Sequence, residues 1–121
     1  FKVSKLMEVL KLKKFIEKTL NQNKAKNIIS INLKGKSSIA DYMIIASGNS
    51  SRHIQSLSEI IVKKLGENNL GKYSVEGKTS SDWKLIDTID IIVHIFHPEK
   101  RKFYDLEKMW YDPTDKKEIS L

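Results

Sequence analysis

Leu6, Val9, Leu10, Leu12, Phe15, Ile16 and Leu20 recur at three- and four-residue steps, which predicts an amphipathic helix from about residue 4 to 21 with lysines outside. Asn21-Gln22-Asn23 ends it. The period then drops to two. From Asn27 to Leu33, Ile29, Ile31 and Leu33 share one side and Ile28, Ser30 and Asn32 the other, the pattern of a half-buried strand. Lys34-Gly35-Lys36-Ser37-Ser38 makes a polar turn. Asp41-Tyr42-Met43-Ile44-Ile45-Ala46-Ser47 is nearly continuous in apolar residues, so it is expected to be an interior strand covered on both faces, at the centre of a sheet.

Gly48-Asn49-Ser50-Ser51 supplies a turn and a choice of N-cap side chains for a helix whose Ile54, Leu57, Ile61 and Leu65 share one face. Gly66 and Asn68-Asn69 are expected to stop that helix, and Gly71 to open a short strand around Lys72 to Glu76. Trp83 to Asp87 and Asp90 to Phe96 read as two strands joined by Thr88-Ile89 into a hairpin. Pro98 suits the first turn of a last helix carrying Phe103, Leu106 and Trp110, which Asp112-Pro113 closes. The fold class is therefore α/β: one domain over residues 1–111, a mixed sheet of about five strands with packed helices, and a polar tail over 112–121 that frays.

Composition narrows what such a domain does. A chain of 121 residues fits a single core, and 40% hydrophobic residues suffice to fold without staples. The absence of Cys removes disulfides, thiolate nucleophiles and sulfur-based zinc sites. No apolar run approaches the ~20 residues of a membrane-spanning helix. The net charge of +7 is local: residues 1–36 hold ten Lys against Glu8 and Glu17, a balance of +8 that leaves −1 for the rest. Arg52 and Arg101 are the only arginines, whereas readers of bases and bidentate phosphate binders lean on arginine. The lysines therefore read chiefly as a solvated helix face, with general attraction to a polyanion as the lesser reading.

Candidate chemistry is thin. The Gly48–Ser51 turn lies where phosphate-binding enzymes present backbone N–H groups, but it fits neither G-x-G-x-x-G nor G-x-x-x-x-G-K-[ST], and helix capping is the commoner cause of such a turn. Nucleotidyl transfer would also need paired carboxylates to hold metal ions. Asp87 and Asp90, three apart in extended chain, fall on opposite faces. His94 and His97 diverge in the same way and no further ligand completes a metal site. His94, among Val93, Ile95 and Phe96, reads as a hydrogen-bonded structural histidine, His97 as a cap of the last helix, and His53 as a partner for a carboxylate. No catalytic constellation or cofactor site emerges.

Alternation along Trp83-Lys84-Leu85-Ile86-Asp87 sets Trp83, Leu85 and Asp87 on one face and Lys84 and Ile86 on the other. Two readings compete for the first face. It is either an inward core face with a carboxylate at the hairpin rim, or a partner-binding face, because Trp anchors are enriched in interface hot spots and an acid selects a basic partner.

The stretches from Asp41 through Ser47, Gly48 and Arg52 to His53, then Val75-Glu76-Gly77, Trp83 to Asp87, Asp90 to Glu99 and Phe103 to Trp110 together resemble the Iojap family, the ribosomal silencing factors (RsfS), in unbroken order over about residues 5–111. One departure is Ile89, where the family usually has Gly. The resemblance implies a nucleotidyltransferase-like fold without catalytic carboxylates, no enzymatic activity and no cofactor. It further implies binding to the large ribosomal subunit through that subunit's fourteenth ribosomal protein, a steric block to small-subunit joining, repression of translation when nutrients are scarce, and a part in large-subunit maturation. On that basis Trp83, Leu85 and Asp87, supported by Glu76, His94, Phe96 and Tyr104, are expected to form the docking patch, with an apolar centre for affinity and acids for selection. The family is often seen as dimers, so a homodimer is a further expectation. Bacteria, mitochondria and plastids have members, and the wording of residues 36–43 looks bacterial, hence a cytoplasmic protein. Against this stand a nucleotide-binding or nucleotidyl-transfer activity at Gly48 to Arg52, and a general RNA-binding module built on the lysines of residues 2–36.

Overall fold

The structure, a computed structural model, describes residues 2–35, 40–68, 72–80 and 82–99, the first five of them by backbone alone. The elements run α1 (Lys2–Gln22), β1 (Lys26–Asn32), β2 (Tyr42–Ser47), α2 (Ser51–Glu67), β3 (Ser74–Glu76), β4 (Trp83–Asp87) and β5 (Ile91–Phe96). The strands form one five-stranded sheet in the order β1-β2-β5-β4-β3. β2 and β5 are parallel and every other neighbouring pair is antiparallel, so the sheet is mixed, as the pattern predicts. The last helix lies outside the described residues beyond its start at Pro98 and Glu99. Phe103, Leu106, Trp110 and the 112–121 tail lie outside them too.

Both described helices pack on one face. Val9, Ile16 and Leu20 of α1 and Ile54, Leu57, Ile61 and Leu65 of α2 meet Tyr42, Ile44 and Ala46 of β2 and Ile91, Val93 and Ile95 of β5 in one buried cluster. The opposite phase of the same strands, with Ile31, Met43, Ile45, Ile92 and Phe96, makes a second cluster. β2 and β5 are thus buried along their whole length, which is why each is a continuous apolar run and not an alternating one.

Four expectations are corrected. The centre of the sheet is β5, with β2 beside it; an apolar run reports burial on both faces but not rank in the sheet. β1 is not half-buried: Ile28 and Ser30 are 5% and 0% exposed, because α1 lies across their side and the Ser30 hydroxyl donates to the Glu17 carboxylate in place of water. Gly66 does not stop α2, which runs to Glu67 with Asn68 as C-cap; an exposed glycine costs a helix only about 1 kcal/mol. β3 begins at Ser74, not Lys72.

The β4–β5 hairpin turns tightly. The Thr88 N–H and hydroxyl both donate to the Ile91 carbonyl, and the Ile89 N–H donates to Asp87 Oδ1 at 2.8 Å. Ile89 stands at φ 79° with its side chain 61% exposed. The left-handed turn that glycine makes without strain is made here by a β-branched residue.

Candidate functional site

Cross-strand register decides which side chains meet. Trp83 lies opposite Phe96, Leu85 opposite His94 on one side and Glu76 on the other, and Asp87 opposite Ile92. Directly paired residues project to the same face of a sheet. Trp83, Leu85, Asp87, Glu76, His94 and Phe96 therefore converge on the face turned away from α1 and α2, while Lys84 and Ile86 point toward the helices. Tyr104 lies outside the described residues.

At the centre of that face three rings stack. The Trp83 centroid is 6.3 Å from those of both His94 and Phe96, at interplanar angles of 29° and 30°, and His94 and Phe96 are 5.6 Å apart and nearly parallel at 6°, within the range of favourable aromatic pairs. Trp83 Nε1 donates to His94 Nδ1 at 3.3 Å. Burial pushes the His94 imidazole down from 6.5 to about 4, because the charged ring would lose its hydration. His94 is thus neutral at pH 7 and able to accept the indole proton, the structural role its apolar neighbours predict.

Exposure is graded across the face. Phe96 and His94 form the floor at 2% and 9%; Trp83, Leu85 and Asp87 are half-buried and Glu76 is exposed. The outcome is an aromatic and aliphatic centre with two carboxylates toward its β3 and β4 rim, which suits a partner offering an apolar anchor and basic neighbours. Gly77, at φ 78°, lets the indole come close: a Cβ there would lie 2.7 Å from the Trp83 carbonyl and 2.9 Å from Trp83 Cε3.

Alternation along β4 sets Lys84 on the opposite phase but assigns it no role. The structure buries it to 2% exposure, with Nζ donating to the carbonyls of Gly77, Lys78 and Ser80. Its signal was a lysine at an inward position of an alternating strand.

The remaining candidates are occupied by local structure. Ser50 is the N-cap of α2, its Oγ accepting from the His53 N–H at 3.1 Å. The Gly48 N–H goes to the Phe96 carbonyl and the Asn49 N–H to His53 Nδ1, so capping accounts for the turn. Among the described residues His53 pairs with no carboxylate, contrary to expectation: its Nε2 lies 2.9 Å from the Asn23 carbonyl, because the end of α1 packs beside the start of α2. His97 Nδ1 accepts from the Glu99 N–H at 3.4 Å, a capping role as anticipated. On α1, Lys11, Lys14 and Lys18 are exposed, while Lys13 reaches Glu17 at 3.4 Å and lies 5.3 Å over the Tyr42 ring.

A family model described as "ribosomal silencing factor during starvation" matches residues 7–121. The chain belongs to the RsfS family. It is 43% identical over 99 residues to the ribosomal silencing factor RsfS of Zymomonas mobilis, covering 82% of this chain and 74% of that one. It is 38% identical over 96 residues to RsfS of Halalkalibacterium halodurans, covering 78% and 82%. The crystal structure of a Chromobacterium violaceum protein superposes with a TM-score of 0.81 at 30% identity, covering 87% of this chain and 89% of that one. Iojap relatives of mitochondria and chloroplasts also match. The RsfS fold and the sequence resemblance thus agree, and the names of the relatives place the family in translational regulation at the ribosome.

Proposed function

We propose that this RsfS-family protein docks on the large ribosomal subunit through that subunit's fourteenth ribosomal protein and, by its bulk, keeps the small subunit from joining, which represses translation. The observation that carries the reading is the convergence of Trp83, Leu85, Asp87, Glu76, His94 and Phe96 on one sheet face, away from both described helices. A half-buried tryptophan backed by rings is a suitable anchor, and the carboxylates favour a basic surface. About 800 Å² per partner suffices for a specific complex. Such an action needs neither cofactor nor turnover. The name of the mouse relative, which refers to mitochondrial assembly of the ribosomal large subunit, supports the same partner and a part in its maturation. Tyr104 belongs to the proposed patch, a second copy of the chain is its proposed occupant when the subunit is absent, and the bacterial cytoplasm is the proposed compartment.

The test is a choice between ligands. The isolated ribosomal protein is expected to bind the wild type, and a folded Trp83→Ala protein to lose at least about 2 kcal/mol of that affinity. Binding to naked ribosomal RNA that weakens steeply with salt and survives Trp83→Ala, with no binding to the ribosomal protein, would replace this reading with the RNA-binding one.

A further inference from the structure

Lys84 turns toward the helix side of β4, yet its ammonium pairs with no carboxylate among the described residues. Nζ donates at 2.7 Å to Gly77, 2.8 Å to Lys78 and 2.9 Å to Ser80, in each case to the backbone carbonyl. An ammonium has three N–H donors, so all three are used. Burying an unpaired cation is costly unless its hydrogen bonds are replaced in full, and here they are replaced by one short piece of backbone. Among the described residues this lysine balances no charge; what its three hydrogen bonds fix is a turn.

That turn leads from β3 into Trp83. It is also tied by the Ser80 N–H to the Gly77 carbonyl and by the His97 N–H to the Asp82 carbonyl, both at 2.9 Å. Gly77, whose carbonyl Lys84 holds, is the residue on which the Trp83 ring rests. Lys84 and Trp83 are sequence neighbours on opposite faces: the lysine clamps the turn from the helix side and the indole lies against it from the docking side.

We propose that Lys84 is a positioning residue for the docking face, locking residues 77–80 so that Trp83 is presented in its bound orientation before the ribosome is met; this rests on the docking reading above. Preorganisation of an anchor raises affinity by removing ordering costs at the moment of binding. Loss of the ammonium leaves three carbonyls to seek water and removes the fixed backing of the indole.

The experiment uses the full ¹⁵N-labelled chain, with the Trp83 indole N–H resonance identified by its loss in Trp83→Phe, and sedimentation with large subunits measured on the same proteins. Lys84→Met is expected to move the Trp83 indole resonance and to weaken subunit binding about tenfold, with Lys84→Arg recovering most of both. A folded Lys84→Met protein with wild-type indole resonance and wild-type binding, where Trp83→Ala has lost binding, overturns the role of Lys84 and leaves the docking reading standing. Undiminished binding by Trp83→Ala overturns both. Should Lys84→Met not fold, the wild type decides: Lys84 ammonium protons that exchange slowly with water support the clamp, and exchange as fast as at exposed Lys63 overturns it.

Discussion

His94 shows how one buried group sets a pH limit. Its folded-state pKa, about 4, lies below the ordinary 6.5, so between those values the unfolded chain takes up a proton that the folded chain refuses. Stability contributed by the neutral ring is complete above 6.5, falls as pH drops toward 4 and is lost below it, a total of about 3 kcal/mol. Urea unfolding across this range is expected to show that slope and His94→Leu to reduce it; a His94 ring that titrates at or above 6.5 by NMR would contradict the assignment. Ile89 makes the other residue-scale prediction. Its φ of 79° costs a non-glycine residue about 1–2 kcal/mol, and its exposed side chain loses little on removal. Ile89→Gly is therefore expected to stabilise the fold by roughly 0.5–1 kcal/mol after the entropy of glycine is charged, read as a higher melting temperature; a lower one would mean that the side chain makes a contact worth more than the strain.

At the scale of elements, the caps and close approaches are separable. Ser50→Ala removes the N-cap of α2 and is expected to cost about 1 kcal/mol in denaturant unfolding. Gly77→Ala meets both a left-handed φ and Trp83 atoms within 2.9 Å, and is expected to cost about 1–3 kcal/mol while shifting the Trp83 indole resonance. These same elements show what the sequence made legible. Periodicity located both described helices and all five strands, because the sheet is buried on both faces at β2 and β5 and alternates at β3 and β4. The cap at Ser50 and the phase of Trp83, Leu85 and Asp87 were readable for the same local reason. Strand order was not, since the apolar runs of β2 and β5 are equivalent until hydrogen bonding ranks them. The clamp at Lys84 was hidden because its three acceptors are backbone carbonyls, which carry no residue-type signal. Glu17 likewise disguised Ser30 as a solvent-facing residue.

For the molecule as a whole, the sheet separates two surfaces. One carries α1, with Lys11, Lys14 and Lys18 exposed, and α2; the other carries the Trp83 stack with Asp87 and Glu76. On the proposed function, the Trp83 face is the specific one and the rest of the molecule supplies the bulk that obstructs. Obstruction of subunit joining by a complex held through Trp83 is the proposed action. Its most direct measurement is the rate at which separated large and small subunits join, followed by light scattering, with the large subunit first saturated by the wild-type protein and then exposed to the same concentration of folded Trp83→Ala. That action requires the wild type to stop joining and Trp83→Ala to leave it near the uninhibited rate. Intact ribosomes forming at the uninhibited rate on large subunits shown to be saturated with wild-type protein would contradict it.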